Sequence, residues 1–213
     1  MFGSGKRVWK FYCVVPCLLL LGAFSGCSFA YAAPTAEQSA IIAEQTKVIE
    51  ANPKDYKAYF RRARAYFDAA QYSEADADCK SGLRINPESQ HLWVLQANVA
   101  LKMDESGRCL AAVRKAQSLG RSSGALAGLE VSCLNSMHRD RDCYRRCNEW
   151  IQVYPSEPSL YYFRALSGER LQLVESQILS DYKEAARLGS KLTAYQRAYQ
   201  SAFLRYSNRS RGQ

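Results

Sequence analysis

Hydrophobic and small residues between positions 56 and 89 recur with the period of an α-helix and divide into two groups. Each group occupies one face of a helix. A turn is expected near Gln71–Tyr72. Ser73 followed by Asp76 predicts an N-cap for the second helix, and Asn86–Pro87 predicts its end. The face-forming residues are Tyr59, Ala63 and Tyr66 in the first helix and Ala75, Cys79, Gly82 and Leu83 in the second.

The same pattern returns along the chain. The interval from Pro53 to Pro87 is doubled between Pro87 and Pro155, so the three prolines fit one repeating unit. The period predicts four helix pairs, with one extra residue in the turn of the fourth pair. The predicted pairs are at about 56–89, 90–123, 124–157 and 158–192.

The sequence from 56 to 89 resembles the tetratricopeptide repeat (TPR), a helix–turn–helix unit of about 34 residues. The family pattern has an aromatic, a small and an aromatic residue in the first helix. Alanine, a bulky residue and a small residue follow in the second, and a proline closes the unit. The third repeat departs most from this pattern, because Ala127 and Glu130 replace larger apolar residues and Trp150 replaces a small one.

The resemblance implies an all-α fold, a right-handed α-solenoid of about four TPR helix pairs. A half-repeat at Ala36–Asn52 is expected before the first pair, and a capping helix from Leu192 to Arg205 after the last. In this layout residues 36–206 form the solenoid and residues 207–213 form a disordered tail.

The N-terminal residues have the pattern of a bacterial secretory signal. A basic start containing Lys6 and Arg7 precedes an apolar run at 11–24, which is short for a transmembrane helix. Residues 24–27 resemble a lipobox, which predicts a signal peptide at 1–26, lipidation of Cys27 and a tether at 27–35. One alternative is cleavage after Ala32 at an A-x-A site, and another is an uncleaved anchor.

The formal net charge of +9 falls to +6 after either cleavage, since Lys6, Arg7 and Lys10 are removed and no acidic residue is lost. A moderately basic surface suits acidic partners or anionic lipid headgroups. No nucleic-acid-binding module is recognisable, so we expect no nucleic acid partner. The predicted location is the periplasmic side of a bacterial membrane, with the outer membrane favoured, or the soluble periplasm.

Five cysteines follow Cys27, and four of them occupy repeat core positions, which favours small buried side chains. Disulfides are also conceivable in an oxidising compartment, from Cys133 to either Cys143 or Cys109. His138, Cys143 and Cys147 do not have the spacing of a standard zinc site. We therefore expect no metal, no cofactor and no catalytic residue.

The resemblance implies that the first helices line a concave surface that binds a peptide or helix of another protein. Lys57 and Arg61 match part of the clamp by which some family members hold an acidic peptide C-terminus. The predicted partner-binding residues are Lys57, Phe60, Arg61, Arg64, Phe67, Asn98, Lys102 and Tyr162.

The functional hypothesis is a noncatalytic interaction scaffold or assembly factor of the bacterial cell envelope. It rests on an analogy at the level of the fold. One alternative is a metal- or thiol-dependent accessory protein that uses the region of Cys133, Cys143 and Cys147, and another is a structural envelope protein with no dedicated groove.

Overall fold

The computed structural model describes residues 34–120, 122–189, 191 and 193–211, and within them all regular structure is α-helical. The expected signal peptide, Cys27 and most of the tether lie outside these residues. None of the described helices combines the length and hydropathy that crossing a bilayer requires. The helices are α1 (Ala36–Ala51), α2 (Tyr56–Asp68), α3 (Tyr72–Ile85), α4 (Gln90–Lys102), α5 (Ser106–Leu119), α6 (Gly124–Ser136), α7 (Asp140–Val153), α8 (Pro158–Arg170), α9 (Glu175–Leu188) and α10 (Thr193–Arg211).

The helices stack in chain order, each packing against the next, which confirms the predicted solenoid. Four helix pairs form the repeats: α2 with α3, α4 with α5, α6 with α7, and α8 with α9. Ala63 and Ala75, at the crossing of the first pair, are fully buried because small side chains let two helix backbones approach closely. The connection inside the fourth pair, residues 171–174, is one residue longer than in the other pairs, as predicted.

The first helix of every pair ends in the same way. In the first pair the Ala70 N–H donates to the Phe67 carbonyl and the Gln71 N–H donates to the Tyr66 carbonyl, which is the Schellman arrangement. Ala70 accordingly has a positive φ of 58°. The equivalent residues of the other pairs are Asp104, His138 and Gln172, with φ values of 60°, 53° and 55°.

The helix starts depart from the sequence prediction at one point. Helix α3 begins at Tyr72, so the N-cap residue is Gln71, and its side chain makes no capping hydrogen bond. The predicted N-cap Ser73 lies inside the helix, and Asp76 is buried against Arg108 of α5 at 2.6 Å instead of capping. The capping role predicted for Asp76 is therefore wrong, because its carboxylate pairs with Lys80 of its own helix and with Arg108 of the next repeat.

Two repeats contain an ion pair between the seventh residues of their two helices. Arg62 donates to both carboxylate oxygens of Asp78 at 2.7 Å, and Arg164 donates to those of Asp181 at 2.8 and 2.6 Å. Both aspartates are buried, so the two-pronged contact with arginine is what satisfies their charge.

The third repeat has the same pair with its charges exchanged. Glu130 is the seventh residue of α6 and accepts hydrogen bonds from Arg146, the seventh residue of α7, at 2.9 and 2.8 Å. Trp150 and Gln117 each add a hydrogen bond of 2.9 Å to the same carboxylate. The unusual Glu130 and Trp150 of this repeat are thus one connected polar group.

Cys109 on α5 and Cys133 on α6 form a disulfide, with their Cα atoms 6.2 Å apart. Of the two pairings considered from the sequence, the structure selects this one. Cys79, Cys143 and Cys147 are free thiols and fully buried, as expected for small core side chains.

Helix α10 packs on α9 and closes the fourth repeat with an aromatic cluster. The Tyr162 ring lies 5.1 Å from the Tyr195 ring and 6.0 Å from the Tyr182 ring. The helix continues to Arg211, beyond the predicted end at Arg205, and the disordered tail expected from residue 207 stays a prediction. Residues 207–211 contain neither glycine nor proline to end the helix.

Candidate partner-binding surface

The first helices of three successive repeats, α2, α4 and α6, line a groove with a cavity volume of about 540 Å³. It lies on the surface for which the sequence predicted binding. Its lining residues are Phe60, Arg64, Phe67, Gln90, His91, Val94, Leu95, Asn98, Ser123, Ala125, Leu126 and Leu129.

Helical spacing places the lining residues on one face of each helix. On α2, Phe60, Arg64 and Phe67 follow one another at intervals of four and three residues. They therefore share one face of the helix, and most of the residues between them lie on other faces. On α4, Val94 and Asn98 are likewise four residues apart. The groove therefore follows from the helical period, but its width is decided by how the three helices stack.

The polar groups of the groove are only partly engaged. Arg64 Nε lies 3.1 Å from both carboxylate oxygens of Asp68, in an ion pair whose side chains are about half exposed. The Asn98 side-chain N–H donates to the Val94 carbonyl at 2.8 Å. Phe60 and His91 meet edge to face, with ring centroids 6.2 Å apart. The surface offers apolar walls with separate donor and acceptor groups between them.

A second groove of about 710 Å³ lies beside the first, between α1 and α2. Phe60 and Arg64 belong to both grooves, and Arg61 lines only this one. Gln45 of α1 also lines it and is buried. The side-chain oxygen of Gln45 has no hydrogen-bond partner among the residues that the structure describes.

The predicted binding residues do not all come together. Phe60, Arg64, Phe67 and Asn98 line the first groove, whereas Arg61 faces the second.

The three remaining predicted residues lie elsewhere. Lys57 is exposed in the first turn of α2 and Lys102 is exposed at the end of α4, and neither lines either of the two described grooves. Tyr162 packs in the C-terminal aromatic cluster, because α10 occupies the position that a ligand would need there.

Sequence reasoning missed the contribution of the third repeat. Ala125, Leu126 and Leu129 of α6 close the far side of the first groove. Ala125 and Leu129 stand at the same repeat positions as His91 and Leu95 of α4, so the repeat period was the signal that could have found them.

The region of the alternative hypothesis is closed to solvent. Cys133 is held in the disulfide, and Cys143 and Cys147 are fully buried. The Cys143–Cys147 hydrogen bond, together with burial, raises the pKa of the Cys147 thiol. Within the described ranges no three His, Cys, Asp or Glu side chains gather as a candidate metal site.

Residues 45–77 match the family model described as tetratricopeptide repeat. No curated protein matches the sequence. The match runs from the middle of α1 into α3 and includes Phe60, Arg64 and Phe67 of the first groove.

Several solved structures share the fold at low sequence identity. YrrB, described as a TPR protein with an unusual peptide-binding site, has a TM-score of 0.65 and 16% identity, covering 77% of this chain and 84% of its own. PilF of Pseudomonas aeruginosa has a TM-score of 0.62 and 17% identity, covering 74% and 72%. MamA from Desulfovibrio magneticus RS-1 has a TM-score of 0.60 and 12% identity, covering 76% and 88%.

The sequence match and the structural likeness agree on the repeat and on the solenoid that it builds. The repeat and the fold of these neighbours suggest that the protein is a scaffold for protein–protein interaction. The chain contains a tetratricopeptide repeat at residues 45–77 and has the all-α solenoid fold of the solved structures that it resembles.

Proposed function

We propose that this chain is a noncatalytic scaffold or assembly factor of a bacterial cell envelope, and that it binds a peptide or helix of another protein in the groove of α2, α4 and α6. The observation that carries the proposal is the mixed character of that groove. Phe60, Val94 and Leu129 supply apolar walls, and Arg64 and Asn98 supply polar groups between them. A likeness to YrrB, whose description names a peptide-binding site, supports the same mode of binding.

The available hydrogen-bonding groups favour a partner segment with apolar and acidic side chains. Arg64 contacts Asp68 through Nε, which leaves its terminal N–H groups to donate to a carboxylate. Asn98 uses a side-chain N–H within its own helix and keeps its side-chain oxygen to accept from a peptide N–H.

The envelope location rests on the secretory pattern that precedes Ala33 and on the lipobox-like sequence before Cys27. The Cys109–Cys133 disulfide supports it, because disulfides persist in oxidising compartments. A lipid on Cys27 would hold the solenoid at a membrane surface.

Binding can be tested with a displayed library of random peptides selected on the purified protein. We expect enriched peptides that combine apolar and acidic residues. A Phe60→Ala/Asn98→Ala variant should weaken their binding by about tenfold or more, which corresponds to about 1.4 kcal/mol. Arg114→Ala/Lys115→Ala, on the exposed side of α5, is the matched control and should bind as the parent does.

Equal binding by the groove variant, with an unchanged circular dichroism melt, would place the binding surface elsewhere. Location needs a separate measurement, the mass of the mature N-terminus of protein taken from native envelopes. A diacylated Cys27 supports the lipoprotein, and a start at Ala33 supports a soluble periplasmic protein. An intact Met1 in the soluble cytoplasm would contradict the proposed location.

A further inference from the structure

The described solenoid begins and ends with half of a repeat. Helix α1 ends at Asn52–Pro53 and joins α2 through four residues, just as α3 ends at Asn86–Pro87 and joins α4. Helix α1 therefore corresponds to the second helix of a pair. Helix α10 follows α9 through residues 189–192, also four residues, and corresponds to the first helix of a pair.

The C-terminal half-repeat has an open face. The eighth residues of the other four first helices are fully buried, because the second helix of each pair covers them. In α10 the eighth residue is Gln200, and it is exposed. The eleventh and twelfth residues are Phe203 and Leu204, which are 49% and 60% exposed. The covered counterparts of Gln200 are Ala63, Ala97, Val131 and Ala165.

The N-terminal half-repeat has the complementary opening. Ile41, Gln45 and Val48 stand one repeat period before the core residues of α3, which are Ala75, Cys79 and Gly82. The three residues of α3 are buried against α2, the first helix of their own pair. In α1, Ile41 and Val48 stay partly exposed, and Gln45 keeps a buried side-chain oxygen without a partner in the part of the chain that the structure describes.

The two half-repeats also have opposite charges. Helix α1 contains three glutamates and one lysine, a net charge of −2. Helix α10 contains four arginines and no acidic residue, a net charge of +4. Arg205 is engaged by Glu169 of its own chain at 2.6 Å, which leaves a basic excess on α10. Opposite charges across a contact raise the association rate and disfavour the pairing of like ends.

We propose that a second copy of this chain docks end to end, with α10 of one copy packing beside α1 of the next and completing a repeat between them. Gln200 would then lie against α1 in the place that Ala63 takes against α3. We expect the association to be weak and reversible, as contacts that bury less than about 1,200 Å² commonly are. Because the two surfaces differ, a docked pair still has one unoccupied surface at each end, so further copies add to give an open chain or a closed ring.

The test is sedimentation velocity of the mature protein, purified from its native host and measured over a range of concentrations. The weight-average mass should rise with concentration and fall when salt is added, since salt screens the opposed charges. The variant Phe203→Glu/Leu204→Glu, here the tail variant, blocks the docking surface of α10. The variant Glu44→Lys/Val48→Lys, here the head variant, blocks the docking surface of α1. Circular dichroism verifies that both variants fold.

Each variant alone should remain a monomer. An equimolar mixture of the two variants should form a dimer and nothing larger. Each pair of chains then contains one intact α1 surface, from the tail variant, and one intact α10 surface, from the head variant. A wild-type chain that stays monomeric at about 100 μM overturns the proposal. So does a head variant that still dimerises, since that outcome means a symmetric contact between two α10 helices. Neither result bears on peptide binding in the groove, which is measured separately.

Discussion

Glu130 of α6 and Arg146 of α7 form an ion pair at the same two repeat positions that Arg62 and Asp78 occupy in the first repeat, with the charges exchanged. In both pairs the carboxylate is buried, so each depends on its arginine for compensation. The positions of the pair are therefore set by the geometry of the repeat, whereas the direction of the charge is free to reverse.

Exchanging the charges of Glu130 and Arg146 should distinguish the contribution of the ion pair to stability from the contribution of its neighbours. We expect Glu130→Arg alone to lower the free energy of unfolding by about 3–5 kcal/mol, because two arginines then face each other in the core. Adding Arg146→Glu should recover most of this loss. Recovery remains incomplete, because the Trp150 N–H loses its acceptor, at a cost of about 1–3 kcal/mol.

Urea unfolding of the wild type, both single variants and the double variant measures the coupling. The exposed pair Glu184–Arg187 is the matched control, and its charge exchange should cost less than about 1 kcal/mol. A double variant less stable than the two single variants combined would show that the repeat geometry does not accept the reversed pair.

Acid should weaken the third repeat through Glu130. Burial by itself raises the pKa of Glu130, but hydrogen bonds from Arg146, Gln117 and Trp150 outweigh burial and hold the pKa below its ordinary value. A carboxylate with a lowered pKa in the folded state stabilises the protein above about pH 4.5, and this contribution disappears as the pH falls through the folded pKa. The wild-type advantage over Glu130→Gln should therefore shrink in acid.

Denaturant midpoints of both proteins between pH 7 and about pH 3 test this expectation. Glu149→Gln is the control, because Glu149 contacts the same arginine from an exposed position. A stability difference between wild type and Glu130→Gln that is constant with pH would contradict the assigned hydrogen bonds.

The Cys109–Cys133 disulfide should stabilise the middle of the solenoid. It joins residues separated by 24 positions, and closing a loop of this size contributes about 3 kcal/mol. Reductant should lower the unfolding midpoint of the wild type and leave that of Cys109→Ala/Cys133→Ala unchanged. Alkylation after unfolding without reductant should label Cys79, Cys143 and Cys147 but neither disulfide cysteine. Labelling of Cys109 or Cys133 would contradict the bond.

Ala70 is held in the left-handed region at φ 58°, where a β-carbon is unfavourable. Ala70→Gly should raise the free energy of unfolding by about 0.5–1 kcal/mol, since the strain relieved exceeds the added freedom of the unfolded chain. Ala69→Gly is the matched control, because Ala69 has a φ of −86° and gains nothing from glycine. Thermal unfolding distinguishes the two. Equal destabilisation by both variants would contradict the assigned turn.

The elements of the fold could be predicted from the sequence because the repeat is a local signal. The bounds of all four helix pairs follow from the repeat period, and the longer turn of the fourth pair follows from an offset of one residue. The candidate site could be predicted only in part. Phe60, Arg64, Phe67 and Asn98 share a groove because of helical spacing, but Tyr162 does not, because α10 packs over it.

The sequence by itself determined the helical period, the solenoid class and the positions available for binding, since each depends on residues a few turns apart. Only the tertiary structure decided which distant side chains meet. It paired Glu130 with Arg146, joined Cys133 to Cys109 rather than to Cys143, and turned Asp76 toward Arg108. The physical reason is that these contacts depend on how successive repeats rotate as they stack, which the pattern within one repeat does not determine.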